Sequence, residues 1–206
     1  MRTQLRHLFR PLLAGSLATM LWLSVGLSAH AGPITYTFTG VGTGTVDGIA
    51  FAGAFTFDFT GDTANVTQGG GEFRQDGIGG TFSKPGFSGT LLANNAVVLN
   101  PDPANPRVGF FNSTFDNGGT IQDSSLISYN LATSFGPITG TGANLLPTLN
   151  GGSFGTTGGD TISLTGMTSL TFTATLQSVP EPSSLLLLGT ALAAGFGVFV
   201  RRRKTT

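Results

Sequence analysis

The sequence predicts a single all-β domain, an antiparallel β-sandwich or jelly roll, with an N-terminal signal helix before it and a C-terminal transmembrane helix after it. Three observations lead to this prediction. Apolar and hydroxyl side chains alternate with period two in several short segments. Turn signals rich in Gly, Asn and Asp separate the segments, giving seven to nine short strands. β-Branched and aromatic residues dominate, and Gly recurs too often for a helix.

The first 31 residues have the composition of a secretory signal peptide. Three arginines precede an apolar segment, residues 11–27, and Ala29 and Ala31 are the small residues that a signal peptidase reads. We therefore expect residues 1–31 to be a signal peptide, cleaved by signal peptidase between Ala31 and Gly32. The alternative is an uncleaved N-terminal anchor, and in both cases the following domain leaves the cytoplasm.

Residues 32–178 form the predicted exported domain, and their composition limits its partners. They carry three basic and nine acidic residues, a formal charge of −6, which argues against a nucleic-acid partner. The chain has no cysteine, so packing must stabilise a domain that could have used disulfides. Its many phenylalanines distinguish it from a disordered glycine-rich linker.

The strongest strand signals lie at the start of this domain. Residues 34–39 alternate apolar side chains with threonine, and Asp47-Gly48 is a turn signal. The odd positions of residues 49–59 then form the clearest period-two row in the chain, which we expect to face the core. Gly53 interrupts this row and suggests a bulge or the close approach of another backbone.

Later segments give weaker signals of the same type. Strands are predicted at residues 87–92, 96–99, 108–115, 121–131, 161–164 and 170–176. Turns or loops are predicted at Asn94-Asn95 and at residues 101–106, 116–119 and 136–160. The pattern predicts an antiparallel all-β domain throughout.

The inventory of reactive side chains is small. The histidines, His7 and His30, both lie in the predicted signal peptide, and cysteine is absent. This excludes a Ser-His-Asp triad, a cysteine nucleophile and a zinc or copper site built on histidine or thiolate in the mature domain. Lys84 is the one lysine there, and a solvated side chain explains it best. We expect no cofactor and no enzymatic activity.

Carboxylates are the remaining candidates for chemistry. A glycosidase needs two of them, and the acids nearest to one another in sequence are Asp58, Asp62, Glu72 and Asp76. Calcium could be bound through Asp58 and Asp62, or through Asp116 and Asn117. Turn chemistry and exposed positions account for these residues more simply.

Sugar stacking on large aromatic side chains has few candidates. Trp22 lies in the predicted signal peptide, which leaves Tyr36 and Tyr129. Tyr36 shares the inward face of its strand, so we expect it in the core. The phenylalanines are likewise expected to be core residues.

The C-terminal end combines three features in order. Pro180-Glu181-Pro182 precedes an uncharged apolar run, residues 185–200, and the basic cluster Arg201, Arg202, Arg203 and Lys204 follows. The run would form a helix of roughly 24 Å, short for a permanent anchor. The positive-inside rule places the basic cluster in the cytoplasm and the domain outside. An ordinary C-terminal anchor is the alternative interpretation.

Residues 179–204 resemble the PEP-CTERM sorting tail of exported bacterial proteins. The resemblance implies recognition by an exosortase, with Pro180, Glu181 and Pro182 matching the recognition element. It also implies transient anchoring in the inner membrane through residues 185–200, followed by retention at the cell surface or release to the extracellular matrix. The family is associated with organisms that make exopolysaccharide, so exopolysaccharide is an expected partner.

Two functions from different classes follow. The first is a non-enzymatic protein of the cell surface or extracellular matrix, sorted and processed by an exosortase. The alternative is a secreted carbohydrate-active enzyme or carbohydrate-binding protein that uses carboxylates alone. Two acids within about 5–10 Å of each other in a cleft would favour the enzyme.

Overall fold

The computed structural model describes residues 32–177 and shows an all-β domain in this range. The predictions for residues 1–31 and 178–206 lie outside the described residues. Eleven strands lie within residues 32–177. They are β1 (Pro33–Val46), β2 (Ile49–Asp62), β3 (Thr67–Gly69), β4 (Glu72–Lys84), β5 (Phe87–Asn100), β6 (Arg107–Phe111), β7 (Asn117–Gln122), β8 (Phe135–Thr141), β9 (Leu145–Leu149), β10 (Phe154–Gly155) and β11 (Thr161–Leu176). Three 3₁₀ turns, Thr63–Asn65, Ser124–Ser128 and Gly142–Asn144, complete the described secondary structure.

All strands belong to one antiparallel sheet, which is nearly closed. Its order is β10-β11-β1-β2-β4-β5-β6-β7-β9, with β3 paired to β4 and β8 paired to β11. The Asn117 side chain, at the start of β7, accepts a hydrogen bond from the Leu164 amide and donates one to the Leu164 carbonyl on β11. This side chain therefore links strands from distant parts of the sheet order. The prediction of an antiparallel all-β domain is confirmed.

The β1–β2 hairpin follows its sequence signals closely. Its strands pair over 14 positions without a register shift, and Asp47-Gly48 forms the turn with φ values of 49° and 76°. Positive φ at both turn residues matches the right-handed twist of the strands. The phenylalanines at positions 55, 57 and 59 are buried, whereas Ile49 beside the turn is exposed. The row predicted to face the core over residues 49–59 is therefore fully buried only from Phe55 onward.

Phenylalanines from distant strands fill the core. The ring of Phe57 on β2 lies with its centroid 4.7 Å from that of Phe110 on β6 and 4.8 Å from that of Phe154 on β10. Phe38 on β1 is 4.8 Å from Phe110. These separations lie within the favourable range for aromatic pairs, and each buried ring contributes about 1.5–3 kcal/mol. The sheet thus folds over and packs against itself.

Gly53 has a different role from the predicted one. The β1–β2 register is continuous there, so no bulge forms, and no atom lies within 4 Å of the place where a Cβ would stand. Its φ of 126° favours glycine instead. Close backbone approach occurs at other glycines, among them its β1 partner Gly42, where a Cβ would meet the Gly166 carbonyl oxygen.

Several predicted turns and strands in the middle of the domain are wrong. Asn94-Asn95 lies inside the single strand β5, where the buried Asn95 side chain donates to the Leu92 carbonyl, 2.8 Å away. Gly118 and Gly119 belong to β7, so the turn precedes residue 117. The strand predicted at 121–131 ends at Gln122.

The predicted loop at residues 136–160 contains three strands, β8, β9 and β10. Gly and Pro obscure their pattern, since Pro137 and Pro147 lie within β8 and β9. The predicted loop at residues 101–106, by contrast, carries no strand.

Candidate functional site

The two ends of the described domain lie side by side. The Gln177 amide, just after β11, donates to the Pro33 carbonyl at 2.9 Å, and the Gln177 side chain donates to Thr35 Oγ1 at 3.3 Å. Gly32 is buried and exchanges hydrogen bonds with Thr63, its amide donating to Oγ1 at 3.0 Å. The predicted mature N-terminus and the start of the C-terminal tail therefore lie at the same end of the adjacent strands β1 and β11.

Gly32 is the one processing residue predicted from the sequence that the structure describes. Ala31, the Pro180-Glu181-Pro182 element and the basic cluster at residues 201–204 lie outside the described residues. What the structure adds is their point of attachment, since the Pro-Glu-Pro element begins three residues after Gln177.

The four acids proposed as a carboxylate cluster have separate structural partners. Asp58 accepts a hydrogen bond from Thr37 Oγ1, and Asp62 caps the first 3₁₀ turn by accepting from the Ala64 amide at 2.9 Å. Asp76 forms an ion pair with Arg74 at 2.9 Å. Glu72 lines a groove described below. Among residues 32–177, no group of three or more acidic side chains is arranged to hold a metal ion.

The side chains of the second candidate calcium pair, Asp116 and Asn117, also bind different partners. Hydrogen bonds from Thr114 and Asn112 reach Oδ1 of Asp116 at 2.7 and 2.6 Å and lower the pKa of this carboxyl. Asn117 is fully buried and is bonded to the Leu164 backbone instead. The two side chains thus serve a turn and the core respectively.

One pair of carboxyl groups does come together, and the sequence reading did not find it. Asp47, in the β1–β2 turn, and Asp160, just before β11, lie close enough for a hydrogen bond between their carboxyl groups when one of them is protonated. This hydrogen bond and the charge of Asp47 raise the pKa of Asp160, whereas the Thr161 amide, 2.8 Å away, lowers the pKa of Asp47. Asp47 is exposed, so the pair lies on surface turns. Only the β1–β11 pairing, which places Val46 opposite Ile162, brings these turns together.

Lys84 lies at the end of β4 over aromatic rings. Its Nζ is 5.7 Å from the centroid of Phe51 and 5.9 Å from that of Phe87, within the range of cation–π attraction. It also donates to the Pro85 carbonyl at 3.3 Å. The ammonium group forms no ion pair with a carboxylate in the described part of the chain.

Both tyrosines are buried. Tyr36 is 0% exposed and Tyr129 4%, and burial raises the pKa of each phenol above its ordinary value of 10.0. The prediction that Tyr36 belongs to the core is confirmed. Neither ring is placed to stack on a sugar at the surface.

A groove of about 340 Å³ lies on the outer face of strands β4, β5, β6, β7 and β9. We call it the outer groove. Its lining residues are Glu72, Arg74, Val98, Asn100, Arg107, Gly109, Phe111, Phe115, Thr120, Leu146, Pro147 and Thr148. The neighbours of these residues along the strands, such as Leu99, Val108, Phe110 and Ile121, are buried in the core. The alternation of a strand thus places one set of residues in the core and the other in the groove.

The strand register explains the shape of the outer groove. Gly109 on β6 stands between Val98 on β5 and Thr120 on β7. Because Gly109 has no side chain, the floor stays low between Arg107 and Phe111, the groove-facing residues on either side of it along β6. A Cβ there would meet Thr120 Oγ1 and the Gly119 carbonyl oxygen at 2.6 Å.

An aromatic and cationic stack borders the groove. The Arg74 guanidinium carbon is 4.8 Å from the centroid of Phe115, whose ring lies 5.5 Å from that of Phe111. Phe115 adopts a φ of 59°, an unfavourable conformation for a bulky residue, and is 39% exposed. The Asn112 side chain organises this turn, accepting hydrogen bonds from the amides of Asp116 and Asn117 at 3.1 Å. The fold therefore holds a strained aromatic residue beside Arg74.

Residues 178–204 match the family model of the PEP-CTERM protein-sorting motif. The chain carries a PEP-CTERM sorting motif. This confirms the resemblance recognised in the sequence, and the match includes the Pro-Glu-Pro element and the basic cluster. The motif implies export and sorting through a membrane-anchored stage with exosortase processing.

No curated protein and no solved structure matches the chain. The PEP-CTERM match covers the tail and leaves residues 32–177 without an assigned relative. Within residues 32–177, no helix has the length and apolar character needed to span a membrane.

Proposed function

We propose that this chain is a non-enzymatic exported protein of the cell surface or extracellular matrix, delivered by its PEP-CTERM motif. One observation carries the proposal: the motif begins at residue 178, two residues after Leu176, where the last strand of the folded domain ends. The folded domain, a sandwich-like sheet packed on itself, is thus the part that is exported. The tail directs its sorting.

The proposed route has three steps. Signal peptidase cuts between Ala31 and Gly32, and residues 185–200 then hold the chain in the inner membrane with residues 201–204 in the cytoplasm. An exosortase acts at Pro180-Glu181-Pro182. The processed domain stays at the surface or enters the matrix, with exopolysaccharide as its expected partner.

The position of the domain ends supports this route. Because Gly32 and Gln177 lie at the same end of the adjacent strands β1 and β11, either terminal segment can tether the domain in one orientation. Loss of the signal peptide would then leave the domain facing the membrane in the same way while the tail still holds it.

The distribution of acids supports the non-enzymatic part of the proposal. Glycosidic cleavage ordinarily uses two carboxyl groups on either side of the scissile bond. Among the described residues, Glu72 is the one acid that lines the outer groove, and the Asp47–Asp160 pair lies on surface turns. The alternative of a carbohydrate-active enzyme would have to use Glu72 with a single partner from elsewhere.

Intact-mass measurement tests the sorting route. We would recover the native protein from the envelope and the medium of cells with and without the exosortase. The expected mass in exosortase-positive cells ends between residues 180 and 184, with or without added glycan. A Glu181→Gln variant should keep the tail. Asp102→Asn is the matched control, since Pro101-Asp102-Pro103 is a similar element within a loop of the folded domain.

A mass running from Gly32 to Thr206 in both strains would overturn the sorting proposal and indicate an ordinary membrane anchor. The non-enzymatic part has a separate test. The mature protein is incubated with neutral and acidic polysaccharides, and new reducing ends are measured. Activity that Glu72→Gln abolishes would replace the proposal with the enzyme alternative.

A further inference from the structure

We propose that the outer groove binds an acidic saccharide, a sugar chain whose units carry carboxylate groups. This inference goes beyond sorting, because it concerns residues 72–148 and holds whether or not an exosortase processes the tail. It commits to one ligand chemistry on the basis of three features of the groove: its cations, its hydrogen-bonding groups and its aromatic edge.

The basic side chains of this acidic domain are concentrated at the groove. Residues 32–177 carry three basic and nine acidic side chains, yet two of the three basic residues, Arg74 and Arg107, line this one groove. Arg107 is exposed and has no ion-pair partner among the described residues. Guanidinium groups bind carboxylates through paired hydrogen bonds, so the groove offers a local anion site on an acidic surface.

Arg74 has unused hydrogen-bonding capacity as well. One of its terminal nitrogens is paired with Asp76 at 2.9 Å. Its Nε is buried and has no hydrogen-bond partner within residues 32–177. An unsatisfied buried donor is unfavourable, and a ligand acceptor entering the groove would relieve it.

The other polar groups favour a polyhydroxylated ligand over a simple anion. Glu72 lines the same groove as the arginines and can accept hydrogen bonds from sugar hydroxyls, donors that a phosphate ion and a glutamate side chain do not offer in such number. Asn100, Thr120 and Thr148 add neutral donors and acceptors. A uronic-acid unit presents both a carboxylate for Arg107 and hydroxyls for Glu72.

The aromatic edge supplies a surface for the apolar face of a sugar ring. Phe115 is partly exposed, and Phe111 lies beside it with a ring-centroid distance of 5.5 Å. Phe115 is held in the left-handed region, where glycine or asparagine would fit more easily. An unfavourable backbone conformation maintained by surrounding hydrogen bonds is a feature that concentrates at ligand sites.

The size of the groove sets the length of the recognised segment. Its volume of about 340 Å³ lies at the small end of the roughly 300–1,000 Å³ of ligand pockets. We therefore infer that it holds a short segment of a saccharide chain that continues beyond the groove.

Calorimetric titration of the mature protein tests the proposal. The probe is an oligogalacturonate of four units, and its matched control is the same oligomer with the carboxyl groups reduced to alcohols. We expect measurable binding of the acidic form only. Tetraglutamate serves as an acidic peptide of similar charge and is expected to bind at least about tenfold more weakly.

Three variants locate the site. Arg107→Gln removes a charge from the exposed rim and should lower affinity by at least about tenfold. Phe115→Asn removes the ring at a position whose φ suits asparagine, so it should lower affinity without unfolding the domain. Lys84→Gln is the control, because Lys84 also lies against aromatic rings but outside the groove. Its affinity should stay within about twofold of the wild type.

Four results would overturn the inference. They are equal binding of the carboxyl-reduced oligomer, tighter binding of tetraglutamate, equal loss of affinity in Arg107→Gln and Lys84→Gln, and absence of binding to the oligogalacturonate at millimolar concentration. Circular dichroism of each variant confirms that the domain is folded before titration. Because the mass experiment on the tail is independent of these titrations, failure of one proposal is distinguishable from failure of the other.

Discussion

The hydroxyl of Tyr36 lies 2.7 Å from Oε1 of Gln75, and both side chains are buried in the core. The same hydroxyl is 2.6 Å from the Leu131 carbonyl oxygen, so two acceptors face its single proton. The Gln75 amide nitrogen in turn donates to the Asp62 carbonyl at 2.7 Å. This polar network joins β1, β4 and the end of β2 inside a core made mainly of phenylalanine and aliphatic side chains.

Removal of the Tyr36 hydroxyl should destabilise the domain. Tyr36→Phe removes the one donor that faces both Gln75 Oε1 and the Leu131 carbonyl, and an unsatisfied buried polar group costs about 1–3 kcal/mol. Urea unfolding followed by circular dichroism measures the change. Tyr129→Phe is the control, since the Tyr129 hydroxyl makes a single, longer hydrogen bond of 3.2 Å to the Thr133 carbonyl. Equal losses in the two variants would contradict the assigned role of Gln75.

Gly61 protects the same network. A Cβ at Gly61 would lie 2.4 Å from the Gln75 side-chain amide, so Gly61→Ala should displace this buried amide. We expect a loss of roughly 2–4 kcal/mol in the free energy of unfolding, from overpacking and a broken hydrogen bond. Gly69→Ala is the matched control, because nothing lies within 4 Å of its Cβ position. If both substitutions are tolerated in urea unfolding, Gln75 is not tightly held.

Residue patterns predicted the parts of the fold in which one face is apolar and the other polar. Strands β1, β2 and the second half of β11 have this alternation, and the phenylalanines at positions 55, 57 and 59 pack where it places them. In β7 and β8 the core-facing or closely packed positions are occupied by Gly and Asn, residue types whose pattern in the sequence predicts turns. Gly119 is one example: a Cβ there would meet Met167 at 2.8 Å, a contact visible only in three dimensions.

The sequence identifies one of the two candidate sites, the tail, but not the outer groove. The tail is a contiguous motif, so its sequence identifies it directly. The outer groove gathers residues from five strands, and Glu72 was noticed only as part of a carboxylate cluster that does not form. Arg74 and Arg107 carry no local signal. Only the β4–β5–β6 register brings them onto one face.

The Asp47–Asp160 pair should make stability depend on pH. The raised pKa of Asp160 stabilises the fold at low pH, and this contribution is lost as pH rises through that pKa. Asp160→Asn keeps a hydrogen-bond donor toward Asp47 without the second charge. We therefore expect the variant to unfold at higher urea concentration than the wild type at about pH 7, with the difference shrinking toward about pH 4.

Asp123→Asn is the control for this experiment, because its carboxyl has the opposite shift. Hydrogen bonds from the Ser125 hydroxyl and amide lower the pKa of Asp123, so its contribution is present above the ordinary pKa of 3.8 and is lost as pH falls through the lowered value. The variant should be less stable than the wild type at about pH 7. An Asp160→Asn variant that is also less stable at that pH would refute the proposed repulsion between the Asp47 and Asp160 carboxylates.

One side chain makes the hydrogen bonds between β7 and β11 in the described part of the chain. Asn117 replaces a strand-to-strand backbone pair, donating to the Leu164 carbonyl at 3.0 Å and accepting from the Leu164 amide at 3.2 Å. Asn117→Leu would leave both buried groups unsatisfied, and we expect a loss of roughly 2–5 kcal/mol in the free energy of unfolding. Asn105→Ala, in an exposed loop with one weak side-chain contact of 3.4 Å, should change it by less than about 0.5 kcal/mol. Hydrogen exchange of the Leu164 amide provides a local measurement, with the Phe38 amide in the β1–β2 ladder as its reference. Faster exchange at Leu164 alone in Asn117→Leu would show that Asn117 closes the sheet. Unchanged exchange at Leu164 would show that the core holds these strands together without it.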